Sequence, residues 1–374
     1  MRRFLISCGG TGGHLSPGIA LAEGLMARGH EASLLISRKK VDARLIENYP
    51  KIAFDRVPGT AFSLRPLKLA RCLFSQASAV AFCMRLIRRQ RPDVIVAFGG
   101  FTSAPVALAG RLRGIPVALH ESNRVPGLAI RALGYVASRA YLPLGLRLPA
   151  VGATRTRHVG LPVRREIVLR PRSESRAALG LDPKHKVVAI LGGSQGATVL
   201  NDWARRHIAL LAGEGIQVYC VTGQDKGEPE THELRTRPGA PLRAIFTPFC
   251  DQMAELLSAA DLVVSRAGAG TLAELIRCET PAILVPYPHA ADDHQRANAA
   301  FFERQGGGLT IDQSMLGGLH TEVRDVIFND WLLRKFRGNL RRMDRANSLE
   351  VMLRDLEEIA EAGPDEPEPQ VLAA

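Results

Sequence analysis

The 374-residue sequence has few cysteines and pairs none of them by spacing: Cys8, Cys72, Cys83, Cys220, Cys250 and Cys278 form no CxxC or CxxH element. Neither a zinc site nor a disulfide framework follows from that arrangement, so reduced thiols are expected. Aromatic residues reach only 5%, and with no recognised binding motif a nucleic-acid partner would rest on charge alone and is not expected. No stretch approaches the ~18 consecutive apolar residues that a membrane-spanning helix needs. The apolar run at residues 4–8 is too short for a secretory signal and meets glycines at once, so it reads as a first strand in a protein that stays inside the cell. There is no GxxxxGK[ST], which excludes the P-loop NTPases. There is no D-x-D triplet either, and the nearest cluster, Asp292-Asp293-His294, places adjacent residues that do not converge readily on one ion. No essential metal or other cofactor is expected.

What is present is ample apolar material and a lopsided charge. Hydrophobic residues make up 46% and charged residues 23%, the composition of a folded soluble protein, and the length predicts about two domains. The net charge of +12 is concentrated: residues 1–160 hold 24 Lys and Arg against 7 Asp and Glu, whereas residues 161–374 hold 25 against 30. A one-sided basic field suits nucleic acid, an anionic bilayer or phosphorylated substrates, and also simple solubility.

Short apolar runs bounded by turn residues at 4–7, 32–36, 94–97 and 117–120 read as buried parallel strands with helices between them. After a Gly/Pro-containing hinge near Val159-Gly160-Leu161-Pro162-Val163, a second series follows at 187–191, 218–222, 262–265 and 283–286. The fold class expected is α/β, with two Rossmann-like, doubly wound parallel sheets and ligands at the carboxyl ends of their strands, in a cleft between the halves. The expected domains are 1–160, 161–345, a C-terminal helix at 346–362 packing back on the first domain, and a disordered acidic, proline-rich tail at 363–374. Residues 64–91 mix Leu, Phe and Met with Arg65, Lys68, Arg71, Arg85, Arg88, Arg89 and Arg91. That is either a basic amphipathic membrane surface or a helix packed on the sheet with a solvated basic face.

Four glycine-rich turns follow predicted strands: Gly9-Gly10-Thr11-Gly12-Gly13-His14, Phe98-Gly99-Gly100-Phe101-Thr102-Ser103, Gly192-Gly193-Ser194-Gln195-Gly196-Ala197 and Ser265-Arg266-Ala267-Gly268-Ala269-Gly270-Thr271. Glycine there admits backbone N–H groups to phosphate and sugar oxygens, although such turns also favour glycine for steric reasons alone. The dinucleotide fingerprint is incomplete, since Leu15 stands at its last glycine and Ser37-Arg38-Lys39-Lys40 offers no acidic ribose ligand. An NADP enzyme remains a competitor on those basic residues.

Together with His120-Glu121-Ser122-Asn123, Pro126-Gly127, Gly160-Leu161-Pro162-Val163-Arg164, Glu274, His294-Gln295 and Asn298, these turns resemble the MurG family in order over roughly residues 4–350. Its members are peptidoglycan N-acetylglucosaminyltransferases of the GT-B fold. The resemblance implies inverting transfer of GlcNAc from UDP-GlcNAc to the C4 hydroxyl of the MurNAc of lipid I, forming lipid II. It further implies a peripheral position on the cytoplasmic face of an anionic membrane and a place in a cell-wall synthesis complex. Three positions depart from the family pattern, Ser122, Leu161 and Phe101, and each lacks a polar group usual there. A GT-B enzyme with another lipid or natural-product acceptor, or a non-catalytic sugar-nucleotide-binding subunit, are the alternatives.

By the same resemblance Arg164 and Ser194 contact the nucleotide diphosphate, and Glu274 accepts both ribose hydroxyls. The backbone at Phe249-Cys250 reads uracil, Gln295 bonds the GlcNAc hydroxyls beside His294, and Gln195 and Thr271 complete the donor site. Thr11, Gly12, Gly13 and Asn123 lie nearest the reacting acceptor. His14 is the first choice of general base, since a neutral imidazole is available near pH 7, and Glu121 is the second. Each has a plainer reading: Arg164 as a surface cation, Thr271-x-x-Glu274 as a capping box, His294-Gln295 as an N-cap region, His14 as a loop brace and His120-Glu121 as a strand-end brace.

Overall fold

The computed structural model describes residues 1–9, 12–37, 43–58, 66–193, 196–224, 226–344 and 348–363, without the side chains of residues 12, 43, 44 and 66–74. The chain divides into two units: Met1–Ser122, Pro126–Pro162 and Asn347–Ala374 form the first, Asn123–Val125 and Val163–Ala346 the second. The expected disordered tail lies, from residue 364 onward, outside the described residues.

Unit 1 is a seven-stranded sheet of β1 (Arg3–Ser7), β2 (Glu31–Ile36), β3 (Ala53–Arg56), β4 (Val94–Ala97), β5 (Val117–His120), β6 (Arg139–Leu142) and β7 (Thr156–His158). All neighbours are parallel, in the order β3-β2-β1-β4-β5-β6-β7. Its helices are α1 (Gly12–Ala27), α2 (Ala43–Glu47), α3 (Pro66–Gln90), α4 (Ser103–Leu112) and α5 (Leu128–Leu133). The interiors of the central strands are apolar because both faces are covered, with Arg3, Ser7 and His120 at strand ends. Phe4 and Ile6 pack with Leu15, Ile19 and Leu25 of α1, whereas Leu5 faces the other layer with Cys83, Leu86 and Ile87 of α3 and Val106 of α4. From residue 75 onward α3 packs on the sheet and turns a basic face outward: Ala79, Cys83, Leu86 and Ile87 are buried while Arg85, Arg88 and Arg89 are exposed.

Unit 2 repeats the plan with α6 (Arg172–Ala178), β8 (Lys186–Leu191), α7 (Thr198–Gly213), β9 (Ile216–Val221), β10 (Glu230–Arg235), β11 (Pro241–Thr247), α8 (Met253–Ala259), β12 (Leu262–Ser265), α9 (Ala269–Arg277), β13 (Ala282–Leu284), α10 (His294–Arg304), β14 (Gly308–Thr310), α11 (Leu319–Ile327) and α12 (Asp330–Asp344). The strand order is β10-β11-β9-β8-β12-β13-β14. Only the edge strand β10 runs antiparallel, against β11, and its alternating burial is that of a strand with one solvated face.

The last helix, α13 (Ser348–Ala362), returns to unit 1 and buries Met352, Leu353, Leu356 and Ile359 beside Phe4, Leu21 and Leu25. Each such side chain contributes about 1.5–3 kcal/mol relative to exposure. Asp355 is 5% exposed. Its carboxylate accepts the Tyr141 hydroxyl at 2.7 Å and Arg157 Nε at 2.9 Å, and Arg139 Nε lies 3.0 Å away. Burial, reinforced by the neighbouring carboxylate, pushes the Tyr141 phenol well above its ordinary pKa, so it stays a donor. At the end of β5, the fully buried His120 bonds the Gly160 carbonyl at 3.1 Å, which assigns the proton to Nε2. Burial lowers its pKa to about 4.

Asp355→Ala should therefore destabilise the protein by about 1–3 kcal/mol, because it leaves the buried Tyr141 hydroxyl without its acceptor and the half-buried Arg139 and Arg157 without their carboxylate; an unfolding free energy in urea equal to that of wild type would refute that docking role. The lowered folded pKa of His120 means that the unfolded chain takes up its proton first, so stability present above pH ~6.5 is lost as pH falls toward 4. The stability advantage of wild type over His120→Asn should shrink by about 2 kcal/mol between pH 7 and pH 5, and a pH-independent difference would contradict it.

Candidate active site

Strand order reverses between β1 and β4 in unit 1 and between β8 and β12 in unit 2. At such a switch point successive connections leave toward opposite faces and open a crevice outside the carboxyl ends of the strands. The four glycine-rich turns follow these four strands, so the sequence had marked two switch points, one in each sheet. Close backbone approach explains the glycines best at two positions. Gly100 has φ +75°, and a Cβ there would stand 2.7 Å from the Gly9 carbonyl oxygen; Gly196 has φ +65°, and its Cβ would fall 1.9 Å from the Thr222 oxygen.

In unit 1, His14 occupies the first turn of α1, half-buried against the second glycine turn: a Cβ on Gly99 would touch its Cε1 at 3.7 Å. His120 is close enough for the two imidazoles to disfavour each other's charge. Glu121 is 4% exposed, and its Oε2 accepts the Gly127 backbone N–H at 2.8 Å, closing the loop between them. Gly12 and Gly13 open α1, whereas Thr11 lies outside the described residues. Asn123 does not join this group. Its Oδ1 accepts Asn298 Nδ2 at 3.0 Å, the Arg124 N–H donates to Asn298 Oδ1 at 2.9 Å, and the Arg124 guanidinium covers Phe301 at 4.2 Å, all within unit 2. Of the departures from the family pattern, Ser122 buries an Oγ that finds no hydrogen-bond partner, while Phe101 and Leu161 are half-buried.

In unit 2, Arg164 is not a surface cation. Its side chain is 15% exposed and pairs with Glu166 at 3.2 Å and Glu274 at 3.4 Å. Burial raises the Glu274 carboxyl above its ordinary pKa of 4.5 and Arg164 draws it back. The capping-box reading of Thr271 and Glu274 is corrected: α9 begins at Ala269 with Gly268 as N-cap and no side chain capping it, so Glu274 lies in the helix interior. The N-cap-region reading of His294-Gln295 holds, since the two are the first residues of α10. The N-cap is Asp293, in left-handed conformation beside the left-handed Asp292. His294 Nδ1 bonds the Ala291 carbonyl at 2.7 Å, and Gln295 Oε1 accepts the Tyr287 N–H at 2.9 Å. Because a backbone N–H only donates, that bond fixes the amide orientation and leaves Gln295 Nε2 as the free donor face.

Ser194 and Gln195 lie outside the described residues. Cys250 is buried, its thiol bonded to Tyr219 and to the Gln252 backbone and pushed up to about 11 chiefly by burial, so only its backbone has polar work to do. Among the described residues no group of three or more His, Cys, Asp or Glu converges as a metal site would. Sequence reasoning quoted Arg266 only as a letter in the fourth turn, yet it is 8% exposed and bonds the Val285 and Pro286 carbonyls. A charged residue one position after the buried run Leu262-Val263-Val264-Ser265 was the available signal.

Residues 4–142 match the Glycosyltransferase family 28 N-terminal domain, and residues 187–337 match the Glycosyltransferase family 28 C-terminal domain. The UDP-N-acetylglucosamine–N-acetylmuramyl-(pentapeptide) pyrophosphoryl-undecaprenol N-acetylglucosamine transferase of Opitutus terrae is 64% identical over 96% of this chain and 95% of its own length. The crystal structure of Acinetobacter baumannii MurG aligns with TM-score 0.70 at 26% identity, covering 96% of this chain and all of that one. A kitacinnamycin glycotransferase reaches the same TM-score at 17% identity, over 96% of this chain and 99% of its own, and so shares the fold alone. With both domains present in order and the identity spread over nearly the whole length, the chain belongs to the MurG family of family 28 glycosyltransferases.

Proposed function

We propose that this protein transfers N-acetylglucosamine from UDP-GlcNAc to the C4 hydroxyl of the MurNAc of lipid I, with inversion, forming lipid II. The observation that carries the reading is 64% identity along 96% of the chain to a transferase of that name. The partly buried Arg164–Glu274 pair supports it locally.

Unit 2 takes the donor. Arg164 faces the diphosphate, where a guanidinium fork matches phosphate oxygens. The N-termini of α7 and α9, which no side chain among the described residues caps, offer further N–H groups to it, together with Ser194, Gln195 and, in the first turn of α9, Thr271. Glu274 accepts the ribose hydroxyls, the backbone at Cys250 reads the base, and Gln295 Nε2 donates to a GlcNAc hydroxyl. Unit 1 takes the acceptor through Thr11, Gly12 and Gly13. His14 removes the proton of the attacking hydroxyl as the new bond to the anomeric carbon forms. The bond to UDP breaks on the opposite side, and the diphosphate carries the charge away. Glu121, with one oxygen held by Gly127, is the second candidate for the base.

Among the described residues no helix is long and apolar enough to cross a membrane. Unit 1 nevertheless exposes Leu108 and Leu112 of α4, Leu128 of α5, Tyr135 and Leu144, with Arg85 and Arg88 of the adjoining α3 and Arg111, Arg113 and Arg131 exposed as well. Apolar side chains interleaved with cations suit the surface of an anionic bilayer, and a peripheral membrane position is part of the proposal.

Label from UDP-GlcNAc should enter a short-chain lipid I analogue with wild type, and His14→Ala should slow it by about 10² to 10⁴-fold; binding of the nucleotide sugar without transfer would instead indicate a binding subunit. Donor affinity should weaken as pH falls through the raised Glu274 pKa, at higher pH than for an ordinary carboxylate, because only the ionised form accepts two hydroxyls. Glu274→Gln should bind less tightly and without that dependence, and an unchanged pH profile would remove Glu274 from ribose recognition. Charge reversal at Arg85 and Arg88 together should weaken binding to vesicles containing anionic lipid while UDP affinity holds, and unaltered vesicle binding would exclude α3 from the membrane face.

A further inference from the structure

Arg266, which follows β12, is a buried cation, 8% exposed, and among the described residues no carboxylate pairs with it and its hydrogen bonds go to neutral acceptors. Nη1 donates to the Val285 oxygen at 3.0 Å and the Pro286 oxygen at 3.2 Å, and Nη2 donates to Gln313 Oε1 at 2.6 Å. The guanidinium carbon lies 5.4 Å from the centre of the Tyr287 ring. Desolvation lowers its pKa, so the arrangement opposes the charge that it contains. A group kept buried at such a cost is expected to have local work to do.

The segment that it holds is irregular. Between the end of β13 at Leu284 and the start of α10 at His294, the chain makes a turn through two consecutive left-handed aspartates, Asp292 and Asp293. Each left-handed residue that is not glycine costs about 1–2 kcal/mol, somewhat less for Asp. Pro286 has no N–H with which to anchor the turn, and the Val285 N–H is already given to the Ser265 oxygen at 2.8 Å. Arg266 supplies what the backbone lacks by fixing two successive carbonyls. The next residue, Tyr287, gives the N–H that orients Gln295.

We propose that Arg266 is a positioning residue for recognition of the donor sugar: through the Val285 and Pro286 carbonyls it fixes the Tyr287 N–H, which holds Gln295 with Nε2 turned outward as a donor. The proposal rests on the reading of unit 2 as a UDP-GlcNAc site. It differs from a charge role toward the diphosphate, which would act on UDP and UDP-GlcNAc alike and which lysine would restore. Arginine's fork spans two carbonyls, whereas an ammonium is a point donor.

The test is calorimetric titration of UDP, UDP-GlcNAc and its C4 epimer UDP-GalNAc into the full chain and its Arg266→Met, Arg266→Lys, Gln295→Ala and Arg266→Met/Gln295→Ala forms. Arg266→Met should weaken UDP-GlcNAc by about tenfold and narrow its preference over UDP-GalNAc, while UDP changes less than about twofold. Arg266→Lys should recover only part of the loss. In the Gln295→Ala background the Met substitution should add less than about twofold, because both act through one amide. Should Arg266→Met fail to fold, Gln313→Ala loosens the same guanidinium and should shift UDP-GlcNAc affinity in the same direction. Equal losses for UDP and UDP-GlcNAc, full recovery by lysine, or additive effects in the double variant would each overturn the proposal. A wild-type protein that transfers GlcNAc but whose Arg266 variants keep wild-type sugar preference overturns this inference alone. A wild-type protein that binds UDP-GlcNAc no better than UDP overturns the donor-site reading and this inference with it.

Discussion

A parallel sheet pairs its backbone internally along every strand but leaves the ends of its strands open, and where strand order reverses no connection crosses the gap. Most of what this molecule offers to chemistry follows from that constraint. Both sheets reverse once, beside their first strands β1 and β8. Glycines stand where the turns leaving these strands pack closely, since a Cβ at Gly9, Gly100, Gly192 or Gly196 would fall within 2.7 Å of a neighbouring atom. The interiors of the central strands are apolar, and polar residues stand at strand ends, among them Ser7, His120 and Ser265 at carboxyl ends. Position in the sheet, more than any individual motif, brings His14 close to His120 in one unit and ties Arg266 to Gln295 through the Val285–Tyr287 segment in the other.

Much of this was legible in the sequence because the signals are local. The runs at 94–97, 117–120 and 262–265 coincide with β4, β5 and β12, since a strand buried on both faces is uniformly apolar and bounded by turns. The edges were not legible. β3 reads Ala-Phe-Asp-Arg and β10 reads Glu-Thr-His-Glu-Leu-Arg, each with a solvated side and a composition that fits a loop equally well. The site divides in the same way. Glycines and the Glu274 carboxylate stood out by type and spacing, whereas the capping box failed because helix starts shift by a residue or two and sequence spacing does not register the shift. The role of Arg266 depends on carbonyls about twenty residues away, and nothing local encodes it.

Buried charges in both units serve the backbone more than they serve stability. Asp355 gathers two arginines and a tyrosine to seat α13. Asp261, at the start of β12, takes Arg176 at 2.6 Å and the Val187 N–H at 2.8 Å, binding α6 to the edge of β8. Glu121 closes its loop on the Gly127 N–H, and Arg266 closes another on two carbonyls. A buried pair of this kind contributes little net free energy over an apolar replacement. What it supplies is direction, since a carboxylate or guanidinium fixes the turn that it bonds in one arrangement and leaves others with an unpaired charge.

That distinction bears on specificity at the sugar. A glutamine amide can be reversed at almost no cost in its shape, yet reversal exchanges a donor for an acceptor. Sugar hydroxyls both donate and accept, so an unconstrained amide would satisfy epimers nearly equally by turning over. The Tyr287 N–H forbids the turn, because the reversed amide would set two donors against each other. Discrimination then depends on how firmly that single N–H is held, and in a turn containing a proline and two left-handed residues the backbone alone holds it poorly. A buried arginine bonded to the two preceding carbonyls removes that slack, which accounts for a charge in a place that otherwise penalises one.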